Sequence, residues 1–211
     1  MFSGADFVIS FPSSARVHRI LPKEAFYKHL NLSGEIKGKF ISDIQRVTLE
    51  YSLTAQTLNL ELCEAVDEIL LLIVELKKRD ADPRLFEVIA RQNPHRMIFL
   101  LRHSGQVRLA IYYSKLYQTQ WQPEETLTLQ ARGINLAVVW EGFIEQIALQ
   151  IKPTQTLGNI DMRLRRQETQ QSLKKKIERI ERQTRAEKQP KRKFELYQQL
   201  LELKKELEDI T

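Results

Sequence analysis

The apolar positions of this chain change their period several times, and each change marks an element. Phe26 and Leu30 sit four apart behind Pro22, which suits the first turn of a short helix. FISDIQRVTLEY places Phe40, Ile41, Ile44, Val47 and Tyr51 at helical spacings. That predicts an amphipathic helix over 40–51, with Glu50 at its end. The period then falls to two. Leu58, Leu60 and Leu62 alternate with polar neighbours in TLNLEL, predicting a half-buried strand over 57–62. EILLLIVELK, from Glu68, is apolar at consecutive positions, as in a central strand covered on both faces. DPRLFEVIARQNP predicts a helix capped by Asp82, with Pro83 first and Leu85, Phe86 and Ile89 inward. RMIFLLRHSGQVRLAIYYS reads as two strands joined at Ser104-Gly105. WQPEETLTLQARG reads as a loop with room for a short strand. NLAVVWEGFIEQIALQI restores the helical period, with Leu136, Val139, Phe143, Ile147 and Ile151 on one stripe.

The last third behaves differently. Beyond Met162 there is no glycine, and Pro190 is the only proline. Leu173, Ile177, Ile180 and Thr184 follow one narrow seam, and Leu196, Leu200, Leu203, Leu207 and Ile210 follow another. The two registers do not join, so EKQPKRK marks a break. Two antiparallel helices meeting near Pro190 fit best, and a kinked continuous helix that dimerises is the alternative. The expected fold class is therefore α+β. A globular domain over 1–151 carries a small mixed β-sheet with flanking helices. A linker over 152–161 and a basic coiled-coil arm, a helical hairpin over 162–211, follow it.

Charge sharpens this division. The net charge of +6 is confined to one segment. Residues 1–151 carry seventeen basic and seventeen acidic side chains, and residues 152–211 carry sixteen against ten. Between Arg163 and Lys193 the ratio is thirteen to four, so a polyanion is drawn there first. A single cysteine, Cys63, excludes an internal disulfide and CxxC zinc spacing, and is expected as a small core residue near a strand end. No basic leader precedes an apolar run, and the longest apolar stretch, Ile69–Val74, falls far short of the ~20 residues of a membrane helix. A soluble, cytoplasmic protein is the expectation.

One motif has the form of chemistry. Glu75-x-Lys77 closes the apolar strand, as in metal-dependent nucleases of the restriction-endonuclease type. Carboxylates there hold Mg²⁺ and a lysine assists the attacking water. Two-residue spacing puts Glu75 and Lys77 on one strand face, and Glu61, Glu64, Asp67 or Glu50 could supply the upstream acid. One core strand of that fold is missing before Glu75. A strand meeting solvent shows the same residues, and this reading is preferred, so no catalytic residue is favoured. His18, His29, His95 and His103 fall in separate elements, no metal site is expected, and Mg²⁺ enters only under the nuclease alternative. No GxGxxG, Walker A or GxSxG motif is present.

ILPKEAFYKHL, VTLEYSLTAQTLNL, RMIFLLR, QTQW and the tail KKIERIERQTRAEKQ together resemble a bacterial family known only as domain of unknown function 4391. The resemblance covers nearly the whole chain and contains no catalytic signature. Similar proteins are commonly encoded beside restriction-type helicases, DNA methyltransferases and other anti-phage genes, which implies partnership with nucleic-acid machinery. The expected function is thus an accessory interaction subunit of a restriction-like defence system, docked on a helicase or nuclease. In that reading Arg163, Arg165, Arg166, Lys174, Lys175, Lys176, Arg179, Arg182, Lys191, Arg192 and Lys193 contact phosphates. Trp121 and the Leu196, Leu200, Leu203, Leu207 seam bind the partner, or a second copy through the coiled coil. Trp140 is expected in the core.

Overall fold

The computed structural model describes residues 9, 11–153 and 158–210. Residues 1–8, where no targeting segment was read, residues 154–157 of the expected linker, and the His29 side chain lie outside the described residues. The chain is α+β and divides into two compact units, residues 1–158 and 159–211.

The first unit is built on a seven-stranded mixed sheet. Its strands are β1 (Arg16–Leu21), β2 (Ile44–Thr54), β3 (Glu68–Leu76), β4 (Arg96–His103), β5 (Gln106–Tyr113), β6 (Lys115–Gln118) and β7 (Gln122–Pro123). They lie in the order β1-β2-β3-β4-β5-β6, with β7 also on β5. Only β3 and β4 run parallel, so a crossover must join them, and α4 (Arg84–Gln92) provides it. The Ser104-Gly105 hairpin is as predicted. Both residues have positive φ, 48° and 75°, the backbone twist that a two-residue turn between twisted strands needs.

β3 is buried on both faces, as its unbroken apolar run requires. Leu72, Val74 and Leu76 join Val47, Leu49, Met97, Phe99 and Leu101 in one core, roofed by α1 (Lys23–His29), α2 (Gly34–Asp43) and α4 through Phe26, Ile36, Phe40, Leu85, Phe86 and Ile89. Ile69, Leu71 and Ile73 face the opposite way and are equally buried. There α5 (Leu136–Ile144) packs on β3, capped by Asn135 Oδ1 accepting the Val138 N–H at 3.0 Å. Trp140 lies in this layer, 4% exposed.

Two predicted elements are replaced. The helix expected over 40–51 ends at Asp43, and residues 44–54 form β2. Phe40 and Ile44 are both fully buried, but Ile41 is 52% exposed, which the helical stripe would not allow. Glu50 therefore sits inside a strand, buried, with Arg16 Nε 2.9 Å and His18 Nδ1 2.7 Å from its carboxylate. The strand expected over 57–62 is instead a one-turn helix, α3 (Ala55–Leu58), followed by a loop. Thr54 and Thr57 form a reciprocal capping box there, and Asn59 ends the turn at φ 53°. Leu62 is 92% exposed, and Cys63 is half-buried in a loop, away from any strand end. Ile151 is 43% exposed, off the α5 stripe, because the helix widens into a π-turn over 145–149.

The second unit is the helical hairpin. α6 (Ile160–Ala186) and α7 (Pro190–Asp209) pack on each other, with Pro190 opening α7 where its missing N–H costs nothing. Ile177, Ile180 and Leu200 are buried between them, flanked by Leu196, Leu203 and Leu207. Arg166 Nε and Gln170 Nε2 each donate to the Ile210 carbonyl at 2.8 Å, closing the open end.

Asp43 joins the helix layer to the end of β3. Its side chain has no solvent exposure, and its carboxylate receives Lys78 Nζ at 2.7 Å, Ser42 Oγ at 2.5 Å and the Asp82 N–H at 3.1 Å. Burial alone would raise its pKa; the bonds from Lys78, Ser42 and Asp82 outweigh it and hold the carboxyl below its usual range. Such a depressed group stabilises the fold fully above its unfolded pKa of about 4, and the contribution is lost as pH falls through the folded value. Asp43→Ala is expected to cost about 2–3 kcal/mol in urea unfolding near neutral pH. The deficit relative to wild type should shrink as melts are repeated toward ~pH 2.

Candidate functional site

The acid and lysine that close β3 do not share a site. Glu75 pairs across the sheet with Arg46 on β2 and Arg102 on β4. Arg46 Nη2 reaches Glu75 Oε1 at 2.5 Å, and Arg102 Nη1 lies 3.7 Å from the same oxygen. Arg102 continues the row to Glu124, at 2.7 Å. The row Arg46, Glu75, Arg102, Glu124 alternates in sign and neutralises itself across the strands. Lys77 lies one residue past β3, where the alternation that would have put it beside Glu75 has ended. Its Nζ donates to the Ile41 carbonyl at 2.8 Å, in the last turn of α2, where the negative end of the helix dipole favours a cation.

The upstream acids expected from sequence are elsewhere. Asp67 precedes β3 and so lies roughly 26 Å from Glu75 along the strand. Its carboxylate is largely exposed and 3.7 Å from His95 Nδ1. Glu61 forms a bridge with Asn135 at the start of α5, and its N–H donates to the Ile134 carbonyl at 2.9 Å. Glu50 is taken by Arg16 and His18. The acid that does adjoin Lys77 is Asp43, whose carbonyl accepts the Lys77 N–H at 2.8 Å. Sequence reading missed it because Ser42 and Asp43 fall on the polar side of the predicted helix, where they leave its apolar stripe unbroken. Both carboxylates at this strand end are held by cations, Asp43 by Lys78 and Glu75 by two arginines. No group of three or more His, Cys, Asp or Glu among the described residues is placed to hold a metal ion.

A cavity of about 600 Å³ lies between β5, the loops after β6 and the end of α5. Glutamines dominate its wall, Gln120, Gln122, Gln130, Gln146 and Gln150, with Arg132 and Lys152 as its cations and no Asp, Glu, His or Cys. Such a lining can hydrogen-bond a ligand but offers no general base and no metal ligand. Trp121 is half-buried against the helix-side core, with Arg108 and Arg79 guanidiniums 5.1 and 5.7 Å from its ring. The ring thus already has two cationic neighbours, a geometry worth roughly 0.5–1 kcal/mol each at the surface.

The basic residues singled out from sequence all lie on the hairpin. Arg163, Arg165, Arg166, Lys174, Lys175, Lys176, Arg179 and Arg182 are on α6, and Lys191, Arg192 and Lys193 open α7. Lys174, Lys175, Lys176, Arg179, Arg182, Lys191, Arg192 and Lys193 are exposed. Within the hairpin, Lys204 binds Glu181 at 2.9 Å and lowers its pKa, and Arg192 lies 3.5 Å from Glu187. The Leu196, Leu200, Leu203, Leu207 seam packs on α6 of the same chain, with Leu200 buried and the other three half-buried. A lone hairpin must bury this seam to hold its helices together. Three apolar residues of α7 that the sequence reading passed over are exposed instead: Phe194, Tyr197 and Leu201.

With this geometry, the chain can be compared with known proteins. Residues 9–207 match the family described as Domain of unknown function (DUF4391). The chain belongs to that family. No curated protein and no solved structure matches it. The match takes in residues of both units. No helix among its described residues is long and apolar enough to cross a membrane.

If Glu75 serves the sheet, Glu75→Ala should lower stability by about 1–2 kcal/mol, because Arg46 loses its carboxylate while Arg102 keeps Glu124. Addition of ~10 mM Mg²⁺ or Mn²⁺ to the wild type should move its Tm by less than about 1 °C, whereas a ligand that binds the folded state raises it. Calorimetric melts check both.

Proposed function

We propose that this DUF4391 protein is a non-enzymatic accessory subunit of a bacterial restriction-like defence system. Its hairpin contacts nucleic-acid phosphates, and the protein docks on a helicase, nuclease or methyltransferase of the same system. One observation carries the phosphate contact: the charges of α7 run against its own dipole. Lys191, Arg192 and Lys193 occupy the first turn, which holds no acid, and no base occupies the last turn, beside Glu206, Glu208 and Asp209. Each misplaced charge costs about 0.3–1 kcal/mol of helix stability. Arg192 has an acid of its own chain in Glu187, but among the described residues no ion pair within the hairpin is seen for Lys191 or Lys193, and a polyanion would supply one. The last turns of α6 add Arg179, Arg182 and Arg185 at the same end of the hairpin. Docking on a partner enzyme rests on the gene neighbourhood that the family resemblance implies.

Fluorescence anisotropy with a duplex oligonucleotide tests the phosphate contact. Affinity should fall steeply between ~50 and ~200 mM salt. Replacing Lys191, Arg192 and Lys193 together by Glu should weaken binding by about tenfold or more and flatten the salt slope by up to ~3. Unchanged affinity in that variant would sink the reading. For the partner, a pull-down from the protein's own operon should recover a neighbour-encoded enzyme, and recovery should weaken when residues 159–211 are removed.

A second reading, a Mg²⁺-dependent nuclease, keeps one observation in its favour. β2 supplies the antiparallel strand before β3 that the sequence lacked, and it starts beside Asp43, next to Lys77. The cations already seated on Asp43 and Glu75 weigh against it, because Mg²⁺ would have to displace them. DNA cleavage by the purified protein, abolished by both Asp43→Asn and Glu75→Gln, would replace the accessory reading with this one.

A further inference from the structure

Helix α7 is apolar on two stripes, and the hairpin uses one. Leu196, Leu200, Leu203 and Leu207 face α6. Phe194, Tyr197 and Leu201 follow i, i+3, i+7 spacing and so share a face of their own, turned about 120° round the helix at 3.6 residues per turn. They are 62%, 49% and 45% exposed. Two aromatic rings and a leucine at a coiled-coil spacing form a seam for another helix, and α6 does not fill it.

The charges of α7 say which helix. From Pro190 to Leu200 it carries Lys191, Arg192 and Lys193 against Glu195; from Leu201 to Asp209 it carries Glu202, Glu206, Glu208 and Asp209 against Lys204 and Lys205. Lys204 is drawn to Glu181 and Arg192 to Glu187, both within the hairpin. The remaining charges leave the first half positive and the second half negative. A two-fold axis across the middle of an antiparallel helix pair brings the first half of each helix against the second half of its mate. A helix positive at one end and negative at the other is therefore complementary to itself in that arrangement. In a parallel pair the same charges would repel along the whole length.

From these two features we infer that α7 of a second copy of this chain covers the Phe194, Tyr197, Leu201 stripe, antiparallel, giving a symmetric dimer. The dimer sets two cationic hairpin tips at opposite ends of the shared α7 seam, about 30 Å apart for a helix of 20 residues.

Sedimentation velocity on the full chain, without nucleic acid, tests this separately from the phosphate contact. At ~100 µM and low salt the 24.8 kDa chain should sediment as a dimer of about 50 kDa. Phe194→Glu with Leu201→Glu should give a monomer of unchanged helical circular dichroism, because both side chains are exposed. Lys191→Glu with Lys193→Glu, and separately Glu206→Lys with Glu208→Lys, should each weaken the dimer by about tenfold or more. Mixing those two charge variants should restore a mixed dimer in native mass spectrometry. A wild type that is monomeric at that concentration overturns the inference. So does a dimer that survives the stripe substitutions, or charge variants that regain nothing on mixing.

Discussion

β3 can be buried only if both of its faces are covered, and that requirement arranges the first unit. Six consecutive apolar residues, Ile69–Val74, cannot lie in a strand at a half-solvated surface. One face takes α1, α2 and α4 and the other takes α5. The parallel partner β4 adds a second condition, a crossover, and α4 meets it while roofing the same core. Polar chemistry near β3 is thereby pushed to its ends. At one end the cross-strand row of Arg46, Glu75 and Arg102 and the Asp43 carboxylate form; at the other, Asp67 and Glu68 meet His95. No acid from one end can meet an acid from the other, because the strand between them is rigid and fully paired.

The same constraint explains what was legible in the sequence. β3, α4, the β4–β5 hairpin and α5 announce themselves because their burial is local in pattern: a two-sided apolar run, a capped stripe, a Ser-Gly turn. The hairpin is legible for a related reason. Its core is one seam per helix, and both helices are adjacent in sequence. The junction at Asp43 is not legible by period. A helix ending in Phe40 and a strand starting at Ile44 leave apolar residues four apart, and one continuous helix leaves the same trace. Only the exposure of Ile41, which depends on where α2 lands on the sheet, separates the two. β1 is hidden more deeply. All of Arg16–Ile20 are exposed, and it exists as a strand because of its pairing with β2, some thirty residues on. Alternation misled at TLNLEL, where a capping box wins the backbone before any strand partner can.

The candidate site was half legible. Glu75 and Lys77 were found by motif, but a motif states spacing and not company. Arg46 is contributed by a strand that had been read as a helix, so its contact with Glu75 could not be foreseen. On the arm, the charges were plain in composition, while the exposed face of α7 was not. The regular Leu seam drew the helical register, and Phe194, Tyr197 and Leu201 became visible only when that seam proved to be filled from within the chain.

The two units handle charge in opposite ways. In the first unit the ionic side chains near β3 are matched in number and largely turned on one another: Glu50 with Arg16, Glu75 with Arg46, Asp43 with Lys78, Arg84 with Asp82 and Glu35. Such pairs position strands and loops and leave little field outside. In the hairpin the basic side chains outnumber the acidic ones, so no internal arrangement can neutralise them. They also stand at the end of α7 where its dipole opposes them. A surface that only needed solubility would be better served by mixed charge placed with the dipole. In the phosphate contact proposed above, charges that weaken their own helix would gain a stabilising partner outside it, because a phosphate backbone offers the matching charge at repeated spacing.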